Sequence, residues 1–148
     1  KHVAVLGMGT MGPGIVATLA RGGMTVSGYD TSAEAVANSG ALITGAFGVL
    51  EALGMPDNGG PEQIRMSDSL EDCVAGADLV VESVPEDLEL KLDLLGQLDG
   101  LVSPDCVLAS DTSGIPITRL QEGNSHPGRV VGRTDDRRDG HLGPVPSF

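Results

Sequence analysis

Hydrophobic positions fall in short blocks whose period keeps changing along the chain, and each change marks a new element. Residues 2–6 form a valine-rich apolar run halted by Gly7, which predicts a buried strand. Residues 11–21 take helical spacing, with Ile15, Val16 and Leu19 on one face and Gly22-Gly23 as the stop. Residues 24–29 alternate and end at Asp30, predicting a second strand. Thr31 or Ser32 suits the cap of the next helix, and Glu34 favours its first turn. That helix runs to about Leu53, although Gly40, Gly45 and Gly48 weaken it. After a loop over 54–63, residues 64–66 predict a brief strand and 69–75 a short helix. Residues 78–84 give the strongest strand of the sequence. Pro85 then stands at a natural first helical position, with Glu86 and Asp87 at the positive end of the helix. Leucines 88, 92 and 95, with 90, 94 and 98, give that helix a broad apolar face ending near Gly100. Residues 107–110 predict a fifth strand, 115–120 a short helix, and Val130-Val131 the opening of a sixth strand.

Strand and helix alternate throughout, which demands right-handed crossovers and helices on both faces of the sheet. The predicted fold is α/β, a Rossmann-type doubly wound domain with a mainly parallel sheet. No repeat or low-complexity segment interrupts it. The composition shifts only after residue 132, dividing a nucleotide-binding domain over 1–132 from an atypical charged tail over 133–148.

Gly7-x-Gly9-x-x-Gly12 matches the dinucleotide fingerprint. With 22 glycines in 148 residues, three glycines at fixed spacing arise about 0.5 times per chain by chance. Context gives the motif its meaning. It follows a strand, opens a helix, and is followed by Asp30 at the end of the next strand, 18 residues past Gly12. Gly7 permits the tight turn, Gly9 lets the backbone approach a pyrophosphate, and Gly12 lets helix pack on strand. Thr10 and Met11 lead into a helix N-terminus whose free N–H groups and dipole suit phosphates. Asp30 would accept hydrogen bonds from the adenosine ribose and repel a 2′-phosphate. Positions 31–33 carry no arginine to receive one, so the expected cofactor is NAD rather than NADP.

A formal charge of −12 leaves no basic surface for nucleic acid, and it weighs mildly against anionic ligands. No apolar run approaches the ~20 residues needed to cross a bilayer, so no membrane association is expected. The run before Gly7 is too short for a signal peptide, which points to the cytoplasm. Cys73 and Cys106 lack a CxxC pattern and read as buried bystanders in a reducing compartment. His2, His126 and His141 show no metal-ligand spacing, and no metal site is expected.

Beyond the generic fingerprint, longer segments become specific. Residues 5–15, VLGMGTMGPGI, resemble the opening of the 3-hydroxyacyl-CoA dehydrogenases, where GxMGxGI is typical. Residues 77–91, ADLVVESVPEDLELK, are similar to that family's ADLVVEAVPEDLELK almost letter for letter. Residues 109–118, ASDTSGIPIT, resemble its ASNTSxxxIT, and residues 127–132, PGRVVG, its PxRxxG. The resemblance covers about residues 2–132. It implies NAD as cofactor, an acyl-CoA substrate, a place in fatty acid metabolism, and a possible homo-oligomer. It also implies that Glu86 and Lys91 lie beside the nicotinamide half of NAD, with Ser113 bonding near the nicotinamide and the substrate's 3-hydroxyl. Without the resemblance, Glu86 reads as a first-turn acid, Lys91 as its solvated neighbour, and Ser113 as a cap for the helix at 115–120.

The resemblance then breaks. After Gly132 the family carries a Met-His-Phe-Phe-Asn-Pro type segment, whose histidine is the general base, and a glutamate about a dozen residues later. Here RTDDRRDG follows, and Thr134 stands in the histidine's place. His141-Leu142-Gly143-Pro144-Val145 resembles the family's HLMPLV, but the sequence ends before the glutamate and the helical C-terminal domain. Asp111 replaces the family's asparagine. The expected function is therefore the NAD-binding domain of a 3-hydroxyacyl-CoA dehydrogenase-like oxidoreductase, truncated and inactive as an isolated chain. A non-catalytic nucleotide-binding module or pseudoenzyme is the alternative from another class. A dehydrogenase of the 3-hydroxyisobutyrate or 6-phosphogluconate type is a third, which residues 85–91 and 112–118 disfavour.

Overall fold

The computed structural model describes residues 1–132. The charged stretch 133–148, with Thr134 and His141, lies outside the described residues. Six strands form one sheet: β1 (His2–Leu6), β2 (Thr25–Tyr29), β3 (Ile64–Met66), β4 (Leu79–Glu82), β5 (Val107–Ser110) and β6 (Val130–Gly132). Their order is β3-β2-β1-β4-β5-β6, and every pairing is parallel. This is the doubly wound order, in which the chain reverses direction across the sheet between β1 and β4. In register, Leu6 of β1 faces Tyr29 on one side and Glu82 on the other. A crevice therefore opens past Leu6, at the carboxyl ends of the strands.

Both sheet faces are covered, which explains why β1 is apolar at every inner position rather than alternating. Val3 and Val5 pack with Val26 beneath α1 (Gly12–Arg21) and α2 (Ala33–Ala52). Ala4 and Leu6 face the other way, toward α3 (Leu70–Val74), α4 (Leu88–Asp99) and α5 (Ile117–Gln121). The buried stripe of α1 is Gly12, Pro13, Val16, Ala17 and Ala20, rotated from the face expected from Ile15 and Leu19, which are only partly covered. The small residues of that stripe let α1 lie close on the sheet.

Two helices differ instructively from expectation. Helix α2 keeps its full length across its glycines, capped by Ser32, whose hydroxyl accepts the Ala35 N–H at 3.2 Å. Contrary to the sequence reading, it is long and apolar enough to cross a membrane by length and composition, with mean hydropathy 1.3. It packs instead along α1, burying Ser39 and Ile43 and leaving Leu42 and Val49 exposed. Helix α4 begins at Leu88, not Pro85. Asp87 is the cap, accepting the Leu90 N–H at 2.9 Å, so the two preceding residues stay in a turn outside the helix. Cys73 and Cys106 are free and buried, and burial pushes both thiols up from their ordinary value.

Candidate dinucleotide site

A cavity of about 850 Å³ opens over the carboxyl ends of β1, β2, β4 and β5. Gly7, Gly9, Thr10, Met11, Asp30, Glu86 and Ser113 all line it, so the fold brings together residues up to 106 positions apart. Its volume lies within the ordinary range for small-molecule sites.

The glycine loop is shaped mainly by backbone contacts. Gly7 turns at φ +101°, and a Cβ there would stand 2.4 Å from the Ser83 carbonyl oxygen. A Cβ on Gly12 would stand 1.9 Å from the Gly7 carbonyl oxygen, so only glycine lets α1 start this close to β1. Gly12 is accordingly buried beneath the loop rather than exposed to the cavity. At Gly9 the situation is opposite: nothing lies within 4 Å of an added Cβ, which would project into open space. Helix α1 has no side-chain cap and no acid in its first turn. An open cradle in front of an uncapped helix start fits a pyrophosphate.

Asp30 ties this loop to the end of β2. One carboxylate oxygen accepts the Met8 N–H at 2.6 Å and the other the Ser32 N–H at 2.7 Å. Each oxygen keeps a second lone pair, and the residue borders the cavity where an adenosine ribose would lie. Thr31, Ser32 and Ala35 also line this wall, and among the described residues lining the cavity there is no cation for a 2′-phosphate.

The opposite end, over β4 and β5, is built from side chains. Glu82 closes β4 at 1% exposure and accepts three hydrogen bonds, from Lys91 Nζ at 2.6 Å, Val84 N–H at 2.8 Å and Ser110 Oγ at 2.5 Å. Lys91 is fully buried, donates also to the Val84 carbonyl at 3.2 Å, and lies 3.5 Å from a Glu86 carboxylate oxygen. Glu86 in turn accepts from the Thr112 hydroxyl and from the Gly114 N–H at 2.9 Å. The Thr112 hydroxyl first, then Gly114 and Lys91, hold the Glu86 carboxyl below its ordinary pKa. Glu86 is thus an ionised carboxylate pinned at the cavity edge.

These contacts correct several expectations. Glu86 is not a first-turn acid, because the helix starts after it. Lys91 is not a solvated neighbour, and its ammonium reaches the cavity only through Glu86. Ser113 caps no helix; it is exposed on the cavity wall, while Thr112 accepts the Ile115 N–H at 3.0 Å. Glu82 and Thr112 went unnoticed in the sequence. A glutamate inside the most apolar strand was the available signal, since a buried charge requires a partner. Asp111 also borders the cavity, accepting from the Ser83 hydroxyl at 2.7 Å.

Comparison with known proteins agrees with this geometry. The family model for the 3-hydroxyacyl-CoA dehydrogenase NAD-binding domain matches residues 2–133. A Mesorhizobium japonicum protein, 5-formyl-3-hydroxy-2-methylpyridine 4-carboxylate 5-dehydrogenase, is 46% identical over 89% of this chain and 43% of its own length. L-carnitine dehydrogenase of Streptomyces coelicolor is 37% identical over 88% of this chain and 41% of its own. Among solved structures, 3-hydroxybutyryl-CoA dehydrogenase of Escherichia coli K12 superposes with a TM-score of 0.77 at 33% identity, covering 89% of this chain and 29% of that one. The chain thus spans less than half the length of these relatives. It belongs to the 3-hydroxyacyl-CoA dehydrogenase family of NAD-dependent oxidoreductases, and its residues 2–133 are the NAD-binding domain.

Proposed function

We propose that this domain presents NAD to a hydroxylated substrate, so that hydride passes between the carbinol carbon and the nicotinamide. The observation that carries the reading is the position of Ser113 and Glu86 on the cavity wall over β4 and β5, opposite Asp30. NAD supplies the hydride-accepting ring. The protein's own residues do the rest: the loop at 7–12 seats the pyrophosphate, Asp30 holds the adenosine ribose, and Glu86 is fixed for the second ribose. Ser113 offers a hydroxyl to the substrate's oxygen.

By the resemblance of residues 77–91 and 109–118, the substrate is a 3-hydroxyacyl-CoA. A second reading, a small hydroxy substrate without a CoA thioester, is favoured by the names of the 46% and 37% identical relatives. The charge of −12 also disfavours a polyanionic CoA on this domain alone. With Thr134 in the place of the general base, the chain by itself is a binding domain rather than a working enzyme.

NADH fluorescence titration tests the cofactor assignment. NADH should bind at least about tenfold more tightly than NADPH, and Asp30→Ala should narrow that ratio. Equal affinities would remove Asp30 from its role. Turnover of 3-hydroxybutyryl-CoA by the chain alone at on the order of 1 per second or faster would contradict the missing base.

A further inference from the structure

The two ends of the cavity differ in how their charges are matched. At the β4–β5 end, three carboxylates cluster: Glu82, Glu86 and Asp111. Lys91 is the cation in contact, and both Glu82 and Glu86 share it. Asp111 has a neutral partner instead, the Ser83 hydroxyl, and among the described residues no cation pairs with it. The side chain is only half covered and faces the cavity together with Ser113 and Glu86. Where the family carries a neutral asparagine, this chain carries a charge.

That charge meets a ligand whose own charge changes during the reaction. An oxidised nicotinamide ring is a pyridinium cation, and the reduced ring is neutral. The adenosine ribose and pyrophosphate are the same in both states. A carboxylate beside the ring therefore acts on one redox state only, whereas one elsewhere acts on both. In a partly enclosed site, where the effective dielectric is well below that of water, such an attraction is not lost to solvent.

We propose that Asp111 is a redox-state selector, a specificity-determining residue that makes this domain hold NAD+ in preference to NADH. The proposal rests on the placement of the nicotinamide over β4 and β5 argued above. By linkage, stabilising the oxidised form makes the bound cofactor a weaker hydride acceptor and leaves the intrinsic affinity for the reduced form unchanged. In a mixture of the two forms the domain thereby fills with NAD+ in preference to NADH.

The test is equilibrium binding of three probes, NAD+, NADH and ADP-ribose, to the full chain and to Asp111→Asn. Asparagine keeps the shape of the side chain and can accept the Ser83 hydrogen bond through its amide oxygen. Asp105→Asn is the control, the same charge change in the loop before β5, at the opposite end of the sheet. Asp111→Asn should weaken NAD+ by roughly 3- to 10-fold while NADH and ADP-ribose stay within about 2-fold. Salt should shrink the difference, as expected for a partly exposed charge. Equal changes for NAD+ and NADH, no change at all, or the same effect from Asp105→Asn would overturn the selector. Failure of ADP-ribose to bind the unmodified chain would instead overturn the cavity assignment, and the selector with it.

Discussion

The β1–β2 end and the β4–β5 end of this cavity are built by different physics. Around β1 and β2 the wall is mainly backbone: a left-handed Gly7, a Gly12 pressed on a carbonyl, and amides bound by Asp30. Around β4 and β5 the wall rests on a ladder of charges running from the buried pair Glu82 and Lys91 out to the exposed Glu86, braced by Ser110 and Thr112. Backbone geometry needs no ionic partner and tolerates any salt or pH in which the fold survives. A buried ion pair holds its groups just as firmly, but only while both members are present. The comparison teaches that the halves should fail differently when a single residue is changed.

The largest expected effect lies in the ladder. Lys91→Met removes the cation and leaves Glu82 buried without its ammonium, at a cost of about 3–5 kcal/mol. Adding Glu82→Gln to that variant should restore a good part of the loss, because the stranded charge disappears. Urea denaturation of both variants measures this. A single-variant loss below about 1 kcal/mol would show that the ladder does not hold the β4–β5 end in place.

A smaller and cleaner effect is expected in the glycine loop. Gly9→Ala places a methyl group in open cavity space, so stability should stay within about 0.5 kcal/mol. NADH affinity should nevertheless fall at least about tenfold, because the methyl occupies the approach to the pyrophosphate. Isothermal titration of the variant beside its thermal unfolding separates the two. Unchanged affinity would mean that the phosphates sit elsewhere.

The same difference explains which parts of the molecule were legible in the sequence. Strand-to-helix succession, the glycine loop and Asp30 are local, and each follows from spacing along a few residues. The ladder is not local. Glu82 and Ser110 meet only because β4 and β5 pair in register, 28 positions apart. Lys91 reaches Glu82 only because α4 starts at Leu88, and a helix started at Pro85 would have turned that lysine differently. The choice between Pro85 and Asp87 as the helix start turned on a cap hydrogen bond that periodicity does not encode. The apolar character of α2 was missed for a related reason: its glycines and alanines dilute the pattern without shortening the helix.

The central claim, that one cavity holds the two halves of a dinucleotide at two differently built ends, can be tested by amide chemical-shift mapping. AMP alone should move the amides of Gly9, Thr10, Asp30 and Ser32. Nicotinamide mononucleotide alone should move those of Ser83, Asp111, Ser113 and Gly114, and NAD+ should move both sets together. If AMP perturbs residues 111–114, or if the two mononucleotides perturb one common set, the assignment of the two ends is wrong.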